Sequence, residues 1–334
     1  MNHVERFRSV MNFEPVDRLP LWEWATCWDK TIDRWRGEGL PADLCDPVEI
    51  SQYFGLDPYK QCCFSAVDYA AAGELRVDEG VSTMDDYLHI RPFLHPAQNA
   101  EIERMRPWAD RQKAGEAVLW ITLEGFFWFP RRLFGIENHL YAFFDHPELM
   151  HKINSDLLEF NLRILDGLSK DCVPTFMTIA EDMSYNHGPM ISQATFEEFI
   201  RPYYLKLTAR AKELGIICIV DTDGDVTQMV PWMQAVGVDG VLPLERQAGV
   251  DGLALREQFP ELVMIGHYDK MVMNKGEGAI RAEFERLLPI MKTGGFVPSV
   301  DHQTPPGVSL EEYRVYLSLM KEYCSLAGVL TDVN

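Results

Sequence analysis

The chain has 334 residues, of which 47% are hydrophobic, and its 31 basic and 51 acidic residues give a net charge of −20. This length fits one α/β barrel or two smaller domains, and so acidic a surface disfavours nucleic-acid or anionic-membrane partners, whose phosphates it would repel. The chain shows neither the apolar core of a signal peptide at its start nor an apolar run of about 18 residues that would span a membrane. Its seven cysteines are scattered without framework spacing, which predicts reduced thiols in a cytoplasmic protein.

Short apolar runs alternate with longer segments of helical period. In chain order the runs predict strands at 19–24, within 60–67, and at 118–124, 175–181, 216–221, 240–245, 262–267 and 295–301. Helices are predicted at 147–169, 195–213, 226–236, 251–258, 275–292 and 309–324. Continuous apolar strands separated by helices are typical of a parallel sheet that is buried on both faces.

Three of the predicted helices carry start signals of the capping-box type. The segments Thr195–Glu198, Asp225–Gln228 and Ser309–Glu312 each place a hydroxyl or carboxylate three residues before a Glu or Gln. In a capping box the two side chains satisfy free backbone N–H groups reciprocally. We therefore expect Asp225 to cap a helix rather than to take part in chemistry.

The strand count approaches eight β/α units, which predicts an α/β fold of the (β/α)8 TIM-barrel type. One domain would span residues 1–334, and an open doubly wound sheet is the alternative. The barrel is favoured because polar residues follow so many strands on the same side. Residues 68–117 are the least regular part, and the sequence LRVDEGVSTMDDYLHI within them predicts a β-hairpin inserted over one end of the barrel.

Acidic and imidazole side chains stand at the carboxyl ends of the predicted strands, where parallel α/β proteins place their working residues. They are Glu23, Glu124, Glu181 with Asp182, Asp221 with Asp223, Glu245, His267, and Asp301 with His302. A single such residue is usually a cap or a solvated loop residue, but here the carboxyl ends of several parallel strands should lie together at one end of the barrel. Crowded acids cannot all ionise without a compensating cation. Carboxylates and imidazoles are suited to zinc or another divalent metal.

Two known sequence motifs resemble the segment Asp221–Asp225, but the segment matches neither of them. An EF-hand loop counted from Asp221 would need Gly at its sixth and Glu at its twelfth position, but Gly224 is fourth and Trp232 is twelfth. A phosphatase of the haloacid dehalogenase type would need Asp-x-Asp-Gly-Thr, and this chain has Asp225 in place of the Thr.

Four segments resemble the uroporphyrinogen decarboxylase superfamily in order along nearly the whole chain. They are FRSVMNFEPVDRLPLWEW, IAEDMSYNHGPMISQATFEEFIRPYYLKL, IGHYDKMVM and GFVPSVDHQTPPGVSLEEY. The resemblance implies a (β/α)8 barrel. It also implies one of two activities, namely decarboxylation of a porphyrinogen or methyl transfer with a corrinoid protein.

The decarboxylases of this superfamily carry an Arg-Gln-Ala-Gly-Arg motif after the first strand, which grips substrate carboxylates. This chain reads LWEWATCWDKT there and lacks both arginines. The methyltransferases that activate thiols bind zinc through His-x-Cys and a late Cys, where this chain has Asp221-Thr-Asp223 and, near the late position, His302. Oxygen and imidazole ligands are similar to those of O-demethylase methyltransferases, which act on methyl ethers.

This resemblance implies a zinc enzyme that moves a methyl group from a small donor, in the first place an aromatic methyl ether, to a corrinoid (cobalamin) held by a partner protein. The implied zinc ligands are Glu245, His267 and Asp223, with Asp221 or His302 completing the set. Glu181, Asp301 and His302 are the predicted catalytic residues, and Glu181 could instead orient a ligand. A Lewis-acidic metal would stabilise the charge that develops on the ether oxygen.

Aromatic residues near strand ends are the predicted substrate-binding groups. Trp22, Trp24, Phe126 and Trp128 could sandwich a phenyl ring, and His187 lies in a loop after a strand; for each aromatic ring, core packing is the plainer interpretation. A decarboxylase-like enzyme and a non-catalytic small-molecule binder remain as alternatives. The sequence leaves the oligomeric state open, with a homodimer as one alternative.

Overall fold

The computed structural model describes residues 1–25 and 27–328 and has an α/β fold with a curled parallel sheet of seven strands. The strands along the chain are β1 (Tyr59–Phe64), β2 (Val118–Glu124), β3 (Phe176–Ala180), β4 (Ser184–Tyr185), β5 (Gly188–Pro189), β6 (Ile217–Asp221), β7 (Gly240–Leu242), β8 (Val263–Tyr268) and β9 (Phe296–Val300). Their order in the seven-stranded sheet is β1-β2-β3-β6-β7-β8-β9. Strands β4 and β5 form a separate antiparallel hairpin. Seven of the eight predicted strands are thereby confirmed.

Helices connect the strands and cover the outside of the sheet. They are α1 (His3–Met11), α2 (Asp29–Gly37), α3 (Pro47–Tyr53), α4 (Tyr69–Ala72), α5 (Met84–Ile90), α6 (Asn99–Lys113), α7 (Trp128–Phe134), α8 (Ile136–Asp145), α9 (Pro147–Leu168), α10 (Gln193–Phe199), α11 (Arg201–Glu213), α12 (Val230–Ala235), α13 (Gly252–Gln258), α14 (Glu277–Met291) and α15 (Leu310–Gly328). Among the described residues, no helix combines the length and apolar character needed to cross a membrane.

The predicted helix starts are confirmed at one of three positions. Ser309 and Glu312 form the expected reciprocal pair before α15. Helix α10 begins earlier than expected, because the hydroxyl of Ser192 accepts the N–H of Thr195. Asp225 does not cap α12: its Oδ1 accepts the N–H of Thr227, and the helix begins only at Val230.

The starting ends of the strands are closed by an aromatic layer. Phe176, the first residue of β3, stacks against Trp120 at 5.1 Å and against Phe7 of α1 at 5.0 Å. Trp22 stacks against Phe7 at 4.7 Å. Such rings bury large apolar areas, so this end of the sheet is a packed core, and the opposite end, where the strands finish, is free for chemistry.

Residues 19–24 do not form the predicted first strand. They still bridge the two edges of the sheet, because the N–H of Asp57, just before β1, donates to Leu21 O at 2.9 Å and the N–H of Trp24 donates to Ser299 Oγ of β9 at 3.1 Å. Pro20 lacks an N–H, and the N–H groups of Leu21 and Trp24 donate to side chains. A regular ladder is therefore not formed, and the described part of the chain contains a seven-stranded half-barrel rather than eight hydrogen-bonded strands.

The β-hairpin predicted within 68–117 is wrong. This region contains α4, α5 and α6, and its one β-type pairing is an isolated bridge between Val67 and Leu94. The reason is local. Thr83 and Asp86 form a capping box that starts α5 in the middle of the segment expected to be the hairpin.

Candidate functional site

Three carboxyl groups meet at the carboxyl ends of β3 and β6, which are neighbours in the sheet. Asp182 follows β3, Asp221 ends β6, and Asp223 lies two residues further on. Burial, followed by the charges of Asp182 and Asp223, raises the pKa of Asp221 well above its usual range. Burial and then the charge of Asp223 also raise the pKa of Asp182. Burial and crowding therefore disfavour the ionised forms of Asp221 and Asp182.

His302 joins this cluster from the end of β9. Its Nε2 lies 3.1 Å from Oδ1 of Asp223, and its ring stands edge-on to Trp24, with centroids 6.3 Å apart. The hydrogen bond to Asp223 raises the pKa of His302, although burial acts in the opposite direction. Its Nδ1 is buried and has no hydrogen-bond partner among the described residues. We call Asp182, Asp221, Asp223 and His302 the acidic mouth.

The loop that carries Asp223 is held from both sides. Glu245 accepts the N–H of Gly224 at 3.1 Å, and the N–H of Asp225 donates to Tyr185 O of the β4–β5 hairpin at 2.9 Å. Gly224 has φ +84, and a Cβ there would lie 2.6 Å from Tyr185 Cα. Only glycine fits at this point. Glu245, predicted as a zinc ligand, thus fixes the loop that presents Asp223.

Glu181 is fully buried and does not open into the mouth. Its Oε1 accepts from Phe126 N at 2.9 Å and from the Tyr204 hydroxyl at 2.7 Å, and its Oε2 accepts from Phe127 N at 2.7 Å and Trp128 N at 3.1 Å. Burial raises its pKa to about 7, even though these four donors favour the ionised form. The arrangement makes Glu181 an anchor for the segment that starts α7.

His267 faces away from the mouth, towards α13 and α14. Its Nε2 lies 3.0 Å from Gly252 N and 3.0 Å from Nη1 of Arg286, and its Nδ1 lies 3.1 Å from Leu244 O. Since an amide and a guanidinium only donate, Nε2 accepts and Nδ1 carries the proton. Burial, assisted by Arg286, lowers its pKa to about 4. Both ring nitrogens are used, so the predicted role of His267 as a zinc ligand does not fit.

Asp301 is completely buried beside the mouth residue His302. Its Oδ2 accepts the N–H of Arg246 at 3.0 Å, and its Oδ1 lies 3.5 Å from Nζ of Lys270. Burial raises its pKa, while Lys270 opposes the shift. These contacts tie the end of β9 to the loops after β7 and β8, and they support a positioning role for Asp301.

The predicted substrate-binding residues separate into two groups. Trp22 is 1% exposed in the aromatic layer at the closed end, and Phe126 is 0% exposed and packs against Tyr204. Neither reaches the acidic mouth. Trp24 lies against His302, whereas Trp128 stacks under Arg131, whose Nη1 donates to Asp182 O at 3.0 Å.

His187 is exposed in the turn of the β4–β5 hairpin. Its ring stands 5.7 Å from that of Tyr185, edge-on. The same hairpin packs against the loop that carries Asp223. His187 is therefore connected to the mouth through the backbone of Tyr185 rather than by direct contact with Asp223.

Asp182 of the acidic mouth, and Cys63 near it, were not assigned roles from the sequence. Side chains alternate along a strand, and Thr178, which bonds to Thr122 and Trp120 inside the sheet, occupies the same side of the alternation as Asp182. Cys63 shares this inner face with Gln61, which donates to Thr122. The thiol of Cys63 is free, and its partial burial and the charge of Asp221 raise its pKa. The alternation of side chains along the strands is the signal that would have identified both residues.

The predicted zinc set is not assembled. Within residues 1–25 and 27–328, no three His, Cys, Asp or Glu side chains are grouped so that they could share one ion. His267 uses both ring nitrogens and Glu245 holds Gly224, so Asp221, Asp223 and His302 are the predicted ligands that lie in the mouth. The predicted set, which needs Glu245 and His267, does not fit zinc in this arrangement.

Comparisons with known proteins agree with this architecture. Residues 122–323, more than half of the chain, match the family model described as uroporphyrinogen decarboxylase (URO-D). A methyltransferase from Methanosarcina mazei superposes with a TM-score of 0.67 at 15% identity, over 97% of this chain and 99% of that one. A putative vitamin-B12-independent methionine synthase from Listeria monocytogenes gives a TM-score of 0.49 at 14% identity, over 95% and 98% of the two chains. No curated protein sequence matches.

Proposed function

Because the chain belongs to the uroporphyrinogen decarboxylase family, we propose that it is an enzyme that transfers a methyl group from a small methylated donor to a corrinoid carried by a partner protein. An aromatic methyl ether is the proposed donor. The observation that carries the proposal is the pairing of His302 with Asp223 at the carboxyl end of the sheet, inside a ring of acids. The Methanosarcina protein with this fold, named a methyltransferase, adds support.

His302 and Asp223 would supply the proton that the leaving oxygen needs in ether cleavage. When a nucleophile takes the methyl group, the C–O bond breaks and its electrons go to the oxygen, so the leaving group is an alkoxide or phenolate. His302, whose Nε2 is held by Asp223, would donate the proton on Nδ1, the ring nitrogen without a partner among the described residues, to that oxygen and release a neutral alcohol or phenol. The reduced cobalt of the corrinoid is the nucleophile and receives the methyl group. Asp223 then holds His302 for reprotonation from solvent.

Trp24 would position the donor in this scheme. Its indole lies edge-on to His302, and its Nε1 donates to Val300 O at 2.8 Å, which fixes the ring at the mouth. A flat aromatic donor packed against this indole would place its ether oxygen near His302. Zinc takes no part in this scheme, since the predicted ligand set does not fit it.

The charge of the mouth argues against a porphyrinogen as substrate. That substrate carries eight carboxylates, and the mouth presents Asp182, Asp221 and Asp223 to it. The segment after Trp24 reads Ala25-Thr-Cys27 and offers no arginine in place of the decarboxylase motif. Like charges at this distance repel, so the site favours a neutral donor.

The direct test is a methyl-transfer assay with chemically reduced cobalamin as acceptor and a panel of donors. The panel contains methoxybenzene, 2-methoxyphenol, methanol and a quaternary methylamine, and the readout is the absorption change of the corrinoid. Turnover with a methoxyarene, lost in His302→Ala, would support the proposal. Absence of transfer from every donor, together with decarboxylation of a porphyrinogen, would show that the enzyme is a decarboxylase. Absence of both methyl transfer and decarboxylation would favour a non-catalytic binder.

A further inference from the structure

A cavity of about 300 Å³ lies outside the sheet, behind the segment that replaces the first strand. It is bounded by residues 23–25 and 27–28, α2, α3, the start of β1 and α15. The apolar part of its wall consists of Ile32, Ile50, Phe54, Leu56 and the rings of Tyr59 and Tyr313. Its volume is at the lower end of the range typical of small-molecule sites.

Polar groups of four side chains face this apolar wall. Glu23 is 5% exposed, and its Oε2 accepts from Ser299 Oγ at 2.8 Å and Val300 N at 3.1 Å, while the Tyr316 hydroxyl bonds to the carboxyl and favours its ionised form. Cys27 is a free thiol, and the hydroxyl of Tyr59 donates to Glu23 O. Burial raises the pKa of Glu23 to about 7 and that of Cys27 to about 12, and it raises the pKa values of Tyr59 and Tyr313. The thiol and the two phenols are therefore uncharged near neutral pH, and the Glu23 carboxyl is about half protonated at pH 7.

The cavity is separate from the acidic mouth. None of Asp182, Asp221, Asp223 or His302 lines it. Trp24 contacts His302, whereas its neighbours Glu23 and Ala25 line the cavity. The two spaces thus lie on different sides of one short segment, and a ligand in the cavity need not touch the proposed catalytic pair.

We propose that this cavity is a binding site for a small uncharged molecule with an aromatic body and a hydroxyl or ether oxygen, which its apolar wall and the Glu23 carboxyl would recognise. Burying the apolar wall against an aromatic body favours binding, and the Glu23 carboxyl lines the same cavity. Asp29 and Asp33 also line the cavity, and Arg36 is paired with Asp33 at 3.0 Å, so an anion finds no free cation in this wall. The inference does not depend on methyl transfer.

The test is a titration of the whole protein with 4-fluorophenol, followed by 19F NMR. The wild-type protein should bind the phenol saturably, and Ile50→Trp, which fills the cavity from α3, should remove one bound phenol per chain, whereas any phenol at the acidic mouth should remain. Ser51→Phe fills the cavity from a half-buried position on the same helix and serves if Ile50→Trp fails to fold. Ile136→Trp adds the same bulk at a site that is 53% exposed on α8, so it should bind as the wild type does.

Two further titrations fix the position and the chemistry of binding. His302→Ala should leave the affinity for 4-fluorophenol unchanged, because His302 does not line the cavity. The anion 4-fluorobenzoate at pH 8 should bind about tenfold more weakly or not at all, since it would be buried beside acids. An unchanged number of bound phenols in both filling variants, loss of all binding in His302→Ala alone, or absence of binding to the wild type would overturn the inference.

Discussion

Nε2 of His302 lies 3.1 Å from Oδ1 of Asp223, although the two residues follow strands that are not neighbours in the sheet. Asp223 follows β6 and His302 follows β9, with β7 and β8 between them. The two strand ends meet because the sheet curls towards a barrel, which brings its carboxyl ends together. The pair is therefore a product of the fold rather than of local sequence.

Removing the imidazole of this pair should stop catalysis with little effect on folding. In His302→Ala, kcat for a methoxyarene should fall about 100- to 10,000-fold, the range typical of a lost general acid. His302 is part-exposed, so its truncation should alter the melting temperature only slightly. Steady-state kinetics and thermal melting measured on the same preparation separate these effects. An unchanged kcat would remove His302 from the mechanism.

The pH profile tests the role of Asp223 independently. Asp223 raises the pKa of His302 above 6.5, so the proton-bound imidazole persists to higher pH and is lost only as pH rises through the raised value. Activity should therefore fall on the alkaline side. Asp223→Asn should move this fall to lower pH while retaining the loop. A profile whose alkaline side is identical in the two proteins would contradict the assignment.

Any zinc bound at the mouth should depend on Asp223 and His302 and not on His267. His267→Leu should leave the metal content unchanged and lower the free energy of unfolding by about 2 kcal/mol, because Gly252 N and Arg286 lose their buried acceptor. Elemental mass spectrometry and denaturant unfolding of His267→Leu and His302→Ala provide the comparison. Loss of bound zinc in His267→Leu alone would restore His267 as a ligand.

Replacement of Glu by Gln should have opposite effects on the free energy of unfolding at Glu23 and at Glu181. Both groups have pKa values raised to about 7 by burial, so their contribution to stability is complete below about 4.5 and declines as pH rises through 7. Glu23→Gln removes the charge and should flatten this decline, which is at most about 3 kcal/mol between pH 4.5 and 8.

Glu181→Gln is the matched control. All four of its donors point at carboxylate oxygens, so an amide nitrogen would face at least one N–H or O–H group. We expect a loss of about 2 kcal/mol at pH 5, which becomes smaller as pH rises through 7 because the variant also lacks the titrating carboxyl. Urea unfolding across pH 5 to 8 compares the variants. Stabilisation by Glu181→Gln at pH 5 would show that the four donors do not discriminate against an amide.

Much of the architecture could be predicted because continuous apolar runs and turn residues are local signals. Seven strand positions and the convergence of Asp221, Asp223 and His302 followed from them. The orientation of His267 could not be predicted in this way. Gly266 and His267 have φ values of +112 and +69, which break the regular alternation of side chains along β8. The missing first strand depended on long-range contacts of Trp24 with Ser299, which no local pattern shows.

Trp24 and Trp22 should respond differently to replacement by Phe. Trp24→Phe removes the Nε1 donor to Val300 O and part of the surface beside His302. It should raise KM for an aromatic donor several-fold and change the melting temperature little, because Trp24 is only half-buried. The measurement is KM and kcat with a methoxyarene, followed by KM with methanol, which offers no ring to pack and should be affected less.

Trp22→Phe provides the comparison, since Trp22 is 1% exposed and packs against Phe7 and Tyr59 in the closed end of the sheet. Loss of these contacts should lower the melting temperature, with a cost of about 1–3 kcal/mol, and leave KM for the donor unchanged. The two variants then separate a residue that touches the substrate from one that only supports the fold. Equal effects on KM in both would place the donor elsewhere than against Trp24.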